Sequence, residues 1–215
     1  MAVVNELNGI ICVNKPAGFT SFDVIAKMRG ILKMRRLGHG GTLDPMATGV
    51  LSVFAGSAAK ASEMLPDHDK IYVAGFKLGT VTDTQDCTGK VLSESDKPVS
   101  REELDAAAER FMGDIMQIPP MYSAVSVNGK RLYELARQGV TIERKPRPIT
   151  VYTLDILEYD VEKREGKMKI ACSKGTYIRT LINDIGEALG CGGIMTSLER
   201  TAACGFSISD CVTLE

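Results

Sequence analysis

A glycine-rich segment at residues 38–45 (GHGGTLDP) places an imidazole and a carboxylate close together in the chain. It lacks the Gly-Lys-Ser/Thr ending of a phosphate-binding loop, and Leu43 stands where a dinucleotide fingerprint needs its third glycine. Its glycines instead let the backbone approach a ligand closely while a tight loop presents His39 and Asp44. Taken singly, the two residues also fit a plain Asp-Pro turn and a solvent-exposed histidine.

Two other side chains stand where they could do chemistry. Residues 174–179 (KGTYIR) indicate a tight turn into a helix, with Arg179 in the first turn. A cation there opposes the helix macrodipole at a cost of roughly 0.3–1 kcal/mol. The position is reasonable if Arg179 pairs with an anion, either a carboxylate such as Asp44 or a substrate phosphate, and the alternative is a tolerated exposed arginine. Tyr72 lies in a predicted strand and either packs in the core or stacks on a flat ligand.

Metal and cofactor chemistry is not indicated. The six cysteines never stand two or three residues apart, and only His39 and His68 accompany them, so we predict free, buried or partly buried thiols in a reducing compartment. Residues 83–89 (DTQDCTG) are a poor calcium loop, because their acids are three apart and the distal glutamate is missing. We expect no metal and no cofactor.

Length and composition indicate a globular chain with one full domain. It has 215 residues, 44% hydrophobic and 25% charged, without an apolar run long enough for a membrane span. The start carries neither a basic leader nor an apolar signal core, which predicts a cytoplasmic protein. The net charge of -1 removes any whole-protein argument for nucleic-acid binding. Local basic patches at residues 27–36 and 130–148 remain, either as ordinary solvated faces or as a surface for a polyanion.

The elements that must position these residues follow from hydrophobic periodicity and capping signals. We predict strands at 9–13, 71–78, 149–161 and 168–173, with a bulge in the third, and note an apolar run at 50–55. Helices are predicted from Thr20 onward with the basic residues to Arg36 on one face, from Ser100 through Met112, over 132–138 and over 176–189. A loop at 38–49 lies between the first helix and the apolar run. The pattern predicts an α+β fold with a mixed, mostly antiparallel central sheet flanked by helices.

Seven blocks, in the same order, resemble the TruB family of tRNA pseudouridine-55 synthases. They are residues 15–21 (KPAGFTS), 39–49 (HGGTLDPMATG), 69–72 (DKIY), 82–86 (TDTQD), 117–124 (QIPPMYSA), 129–137 (GKRLYELAR) and 175–179 (GTYIR). The resemblance implies the pseudouridine synthase fold, with residues 1–215 as the catalytic domain and the usual carboxy-terminal RNA-binding module absent or truncated. Ser126 and Glu199 depart from the family pattern, since basic residues are common at both positions.

The resemblance also implies roles for individual residues. Asp44 would attack a flipped uridine, at either C1′ of the ribose or the base, and Arg179 would pair with Asp44. Tyr72 would stack on the target base and assist proton removal at C5, and His39 would help to take the uridine out of the RNA stack. Further substrate-binding residues would be Lys15, Gly40, Tyr177, Leu198, Arg35 and Arg36.

These roles imply an isomerase that converts uridine to pseudouridine at position 55, in the T-loop of tRNA, by base flipping. A close-approach loop, a stacking aromatic and a positive surface are the parts that such chemistry requires. We expect a monomer that needs no protein partner and no membrane. The alternatives are the same chemistry on another RNA and a silent RNA-binding module, although a silent relative would be free to lose Asp44, Tyr72 or Arg179.

Overall fold

The computed structural model describes residues 7–60, 69–127 and 129–214. Residues 1–6, part of the segment considered as a leader, and His68 lie outside the described residues. The strands are β1 (Gly9–Lys15), β2 (Leu37–His39), β3 (Thr48–Ala55), β4 (Lys70–Leu78), β5 (Thr80–Thr82), β6 (Val91–Glu94), β7 (Gly113–Gln117), β8 (Ser126–Val127), β9 (Lys130–Arg131), β10 (Arg147–Asp160), β11 (Glu165–Cys172), β12 (Gly193–Ala203) and β13 (Phe206–Ser207). The helices are α1 (Ser21–Leu32), α2 (Arg101–Glu109), α3 (Leu132–Arg137) and α4 (Ile178–Ala188), with 3₁₀ turns at Gly56–Lys60 and Ile208–Asp210.

The contacts divide the chain into two compact units, of which unit 1 comprises Met1–Val73 and Leu198–Glu215. Its central strand is β3, which pairs antiparallel with β1 and β2 and parallel with the end of β12. Helix α1 covers this sheet, because Val24 and Met28 pack into one buried cluster with Val13 and Leu51. The long loop between β2 and β3 therefore emerges from a well-packed core.

Unit 2 comprises Ala74–Ser197. Its strands follow the order β4-β11-β10-β7, and β10 is antiparallel to both of its neighbours. Helix α4 buries one apolar stripe, and α2 packs beside α4 and β10. Because the parallel pairing of β3 with β12 stands beside antiparallel pairs, the predicted α+β class with a mixed, mostly antiparallel sheet is confirmed.

Helix starts with local capping signals agree with the prediction. In α1 the backbone NH of Asp23 donates to the hydroxyl of Thr20 at 3.0 Å, and the NH of Thr20 donates to the Asp23 carboxylate at 2.8 Å. Ser100 and Glu103 exchange the same two bonds at the start of α2. Each box satisfies backbone donors that the first helical turn leaves unpaired, which needs only neighbouring residues.

All four helices are shorter than predicted, α3 and α4 by one to three residues and α1 and α2 by more. Helix α1 ends at Leu32, because Lys33 adopts a left-handed conformation with φ of 51°. Arg35 and Arg36 therefore lie on the segment that follows the helix, and their placement on its basic face was wrong. Helix α2 ends at Glu109, so Phe111 and Met112 lie beyond it.

Several strands also differ from the prediction. His39 ends strand β2 rather than lying in a loop, since it pairs with Val53. The predicted bulge in β10 is present between Ile156 and Glu158, and a second one lies between Val151 and Thr153. Strand β12 was missed altogether.

Candidate active site

Asp44 lies in the loop between β2 and β3, where it is partly exposed. The buried hydroxyl of Ser21 accepts a hydrogen bond from the backbone NH of Leu43 at 2.9 Å and donates to its carbonyl at 3.3 Å. A turn closes on the other side, because the NH of Ala47 donates to the carbonyl of Asp44 at 3.0 Å. The backbone at Asp44 is thus held from both sides, as a reacting group requires.

Lys15 is a fully buried cation beside this loop. Its ammonium donates to the carbonyls of Phe19 at 2.6 Å, Pro16 at 2.8 Å and Pro45 at 3.3 Å. Burial lowers the pKa of Lys15 to about 8, and the negative charge of Asp44 partly opposes that shift. Lys15 therefore both fixes the loop next to the carboxylate and acts on it electrostatically.

Arg200, which the sequence analysis did not assign to the site, lies on the opposite flank of the same loop. Its side chain has no exposed surface, and its Nε and Nη2 donate to the carbonyls of Val50 at 2.8 Å and Gly41 at 3.2 Å. Gly49 pairs with Arg200 at φ of 102°, and a Cβ there would stand 2.2 Å from the Arg200 carbonyl oxygen, so only glycine fits. The sequence does carry a signal for the burial of Arg200. Side chains alternate between the two faces of a strand, so Arg200 lies on the same face as Leu198.

His39 and Gly40 lie at the beginning of the loop. The imidazole of His39 is partly buried, and its Nδ1 has no hydrogen-bond partner among the residues that the structure describes. Burial and the charge of Arg200 lower the pKa of His39, which favours the neutral imidazole. At Gly40 a Cβ would stand 2.8 Å from the ring of Phe54, so a side chain there would displace the loop.

Tyr72 and Leu198 also belong to unit 1. Tyr72 is 6% exposed on β4, and Leu198 is 8% exposed on β12. The hydroxyl of Thr201 on β12 donates to the carbonyl of Ile71 on β4 at 3.3 Å, which links the two strands here. A tyrosine that is nearly buried fits both interpretations raised by the sequence, core packing and a stacking surface.

Arg179 is buried in the first turn of α4, in unit 2. The alternative of an exposed arginine was therefore wrong. Its Nη1 lies 3.5 Å from a carboxylate oxygen of Asp86, and its Nη2 donates to the carbonyl of Tyr122 at 2.6 Å. The carboxylate of Asp86 is a local anionic partner of the kind expected for a cation at a helix start, while the pairing of Arg179 with Asp44 stays a prediction.

Three of the sequence blocks converge on the start of α4. Tyr177 exchanges two hydrogen bonds with the amide of Gln117, at 2.8 Å from its NH and 3.1 Å to its carbonyl. Next to Arg179, the hydroxyl of Thr180 donates to the amide oxygen of Gln85 at 2.7 Å. The blocks at 82–86 and 117–124 thus fix the helix turn that carries Arg179.

The predicted RNA-facing charges lie at the surface. Arg35 and Arg36 are exposed, and so is most of the second basic segment, namely Lys130, Arg131, Arg137, Lys145 and Arg147. Ser126 and Glu199, the two departures from the family pattern, are exposed as well. Basic side chains at such exposed positions can contact a polyanion, and no charged group has to be desolvated in the core.

In the part of the chain that the structure describes, the thiols and the other acids form no metal centre. Within residues 7–60, 69–127 and 129–214, no three His, Cys, Asp or Glu side chains group closely enough to hold a metal ion. Cys12, Cys172, Cys191 and Cys204 are buried, whereas Cys87 is exposed, against the expectation of burial. Among the helices of the described part of the chain, none combines the length and apolar character that a membrane span requires.

The fold and the site define a pseudouridylate synthase. The structure is similar to that of a Cbf5-Nop10-Gar1 complex, with a TM-score of 0.75 and 32% identity over 96% of this chain and 52% of the other. It is also similar to the archaeal box H/ACA sRNP Nop10-Cbf5 complex, with a TM-score of 0.71 and 31% identity over 98% of this chain and 53% of the other. This chain spans about half the length of each of those two.

Family models and curated relatives narrow the class. Residues 29–178 match the model of the TruB family pseudouridylate synthase N-terminal domain, and residues 179–215 match that of the tRNA pseudouridylate synthase B C-terminal domain. The tRNA pseudouridine synthase B of Clostridium novyi is 50% identical, covering 97% of this chain and 71% of its own length. That of Clostridium kluyveri is 47% identical over 97% of this chain and 72% of its own length. The chain belongs to the TruB family, and the resemblance stated from its sequence is confirmed.

Proposed function

We propose that this chain isomerises uridine to pseudouridine at position 55, in the T-loop of tRNA. The observation that carries the proposal is the loop of Asp44, a partly exposed carboxylate whose backbone is held by Ser21, Lys15 and Arg200. Preorganisation of this kind is what a nucleophile needs, because orientation of the reacting atoms supplies much of a rate enhancement. The names of the relatives support tRNA as the substrate.

The reaction rearranges one nucleotide without a change in its composition. The N1–C1′ bond of uridine breaks, the C5–C1′ bond forms, the hydrogen on C5 leaves as a proton, and N1 takes up a proton. No electrons are gained or lost overall. The carboxylate of Asp44 acts as the nucleophile that permits the base to detach and turn, by attack at C1′ or at the base.

The remaining side chains take the roles that the family resemblance implies. Tyr72 stacks on the target base and assists removal of the C5 proton, for which an aromatic ring with a hydroxyl is suited. The lowered pKa of His39 leaves a neutral imidazole that can enter an RNA stack with little desolvation cost. Arg179 supplies the cation that the family resemblance assigns to Asp44.

Substrate binding rests on the exposed cations and on access to an extruded base. Arg35 and Arg36 hold RNA phosphates, and the family resemblance assigns substrate binding to Lys15, Gly40, Tyr177 and Leu198 as well. Because phosphate contacts release counterions, the affinity falls as salt rises. We propose that the chain works in the cytoplasm and needs no protein partner. We also propose that it is a monomer, which light scattering of the active protein tests.

Release of tritium tests the proposed function. Transfer RNA labelled at C5 of uridine loses its label when the glycosidic bond moves, so the wild-type chain releases tritium and Asp44→Asn does not. Asp96→Asn, which changes an exposed aspartate in the same way, serves as the control and retains release. Equal release by wild type and Asp44→Asn would remove the nucleophile assignment.

Mapping the product separates the alternatives. Pseudouridine at position 55 supports the proposal, and pseudouridine elsewhere or only in another RNA would assign the same chemistry to a different substrate. Binding of tRNA without any label release by the wild-type chain would favour the silent RNA-binding module.

A further inference from the structure

Arg200 is a buried charge without a conventional explanation. It is the largest of the fully buried side chains, and its two hydrogen-bond acceptors, on Val50 and Gly41, are neutral carbonyls. Its Nη1 is buried and has no hydrogen-bond partner within the described ranges. A buried guanidinium whose hydrogen-bond acceptors are neutral carbonyls is costly, and an apolar side chain of similar volume would avoid that cost. The position of the charge therefore calls for a functional reason.

The two acceptors of Arg200 bracket the loop that carries Asp44. Gly41 precedes Asp44 by three residues, and Val50 follows it by six. A Cβ built on Gly41 would stand 3.5 Å from Nη1, so the free end of the guanidinium lies directly beneath the loop backbone. Lys15 holds the same loop at Pro45, between those two points. The buried cations Lys15 and Arg200 thus donate hydrogen bonds to three backbone carbonyls in and beside this loop.

The field of Arg200 reaches the groups around this loop. Burial is the main cause of the lowered pKa values of His39 and Lys15, and Arg200 adds to both shifts because it repels the charged forms of the two bases. A positive potential of this kind favours the negative form of a carboxylate on the same loop. The charged side chains near the loop, among the described residues of unit 1, include Lys15, Arg200 and Lys70, whose Cε would stand 3.3 Å from a Cβ on Gly41.

We propose that Arg200 is a positioning residue for the nucleophile: it clamps the ends of the Asp44 loop through Gly41 and Val50 and supplies a positive potential that keeps the carboxylate ionised. This inference rests on the proposed function of Asp44. It predicts that the clamp and the charge are separable. A lysine keeps the charge and loses the forked contact, whereas a glutamine loses the charge and most of the reach.

The test compares Arg200→Gln and Arg200→Lys with wild type by single-turnover and steady-state tritium release. We expect Arg200→Gln to lower kcat on the order of 100-fold, the usual scale for a misplaced reacting group, with KM changed less than about threefold. Arg200→Lys should recover most of that loss. Arg101→Gln is the matched control, because Arg101 also donates to a backbone carbonyl, that of Ile156, and it should change neither kcat nor KM.

A second measurement needs no substrate and therefore separates this inference from the proposed function. In an NMR titration, the pKa of His39 should move upward toward its ordinary value in Arg200→Gln and stay in place in Arg200→Lys and Arg101→Gln. If Arg200→Gln does not fold, the test rests on Arg200→Lys. The proposal then predicts that this variant has an unchanged His39 pKa and a kcat between one tenth of the wild-type value and the full wild-type value. A kcat for Arg200→Gln within threefold of wild type, or an unchanged His39 pKa in that variant, would overturn the proposal. If the wild-type chain releases no tritium, the proposed function is wrong. The effect of Arg200 on the pKa of His39 is then judged from the titration alone.

Discussion

The hydroxyl of Ser21, at the first turn of α1, bonds both the NH and the carbonyl of Leu43, the residue before Asp44. One buried side chain thus satisfies both backbone groups of a loop residue 22 positions away. Ser21→Ala leaves both groups buried without a partner, which should lower the free energy of unfolding by about 1–3 kcal/mol and reduce kcat more than it changes KM. Urea unfolding and tritium release measure the two effects, and Ser93→Ala, at an exposed position on β6, should show neither. Full activity and stability in Ser21→Ala would exclude a positioning role.

Lys15 should make stability depend on alkaline pH. Its pKa is about 8 in the folded chain and near the ordinary value of 10.5 when unfolded, so between these values the unfolded chain holds a proton that the folded chain has released. The free energy of unfolding therefore rises with pH in that window, by on the order of 2 kcal/mol from this group. Burial raises the pKa of Cys211 to about 11, which acts in the opposite direction. Comparison with Lys15→Met isolates the contribution of Lys15. The variant should lack the rise in the free energy of unfolding that Lys15 causes and keep the fall that Cys211 causes.

Asp184 on α4 should destabilise the chain at neutral pH. Burial raises its pKa to about 6, with Glu187 adding to the shift and a hydrogen bond from Asn183 opposing it. The folded chain then holds a proton that the unfolded chain has lost between about pH 4 and 6, so stability falls as pH rises through that window. Asp184→Asn should raise the free energy of unfolding at pH 7 by about 1 kcal/mol after allowance for solvent screening, with no gain below pH 4. Equal stability of both proteins at pH 7 would contradict this, and Glu109→Gln on the exposed face of α2 is the control.

Arg35 and Arg36 should set part of the salt dependence of tRNA binding. Charge reversal at both positions should weaken binding and reduce the slope of log affinity against log salt by about 2, one for each lost phosphate contact. Filter binding over a range of salt concentrations measures the slope. Reversal at Lys163 and Lys167, two exposed lysines in unit 2, should leave the slope close to wild type. An unchanged slope in the Arg35 and Arg36 variant would place the RNA elsewhere.

Local signals predicted the parts of the fold that depend on neighbouring residues. The capping residues of α1 and α2 stand three positions apart, so both boxes were visible in the sequence. Strand β12 was missed because its partners come from distant segments, as the pairing of Arg200 with Gly49 shows. His39 was placed in a loop for the same reason, since only its pairing with Val53 makes it a strand residue.

The amino-acid sequence by itself determined the family, the chemistry-bearing residue types and the order of the blocks, because these depend on identity and spacing alone. Only the tertiary structure decided that Lys15 and Arg200 are buried and grip the Asp44 loop, and that Arg179 is buried against Asp86. Burial and hydrogen bonding join groups far apart in the chain, and a charge acts through the dielectric and the neighbours that the fold places around it. Neither quantity is a property of a residue type, so the sequence pattern indicates at most which face of a strand is buried, as it does for Arg200.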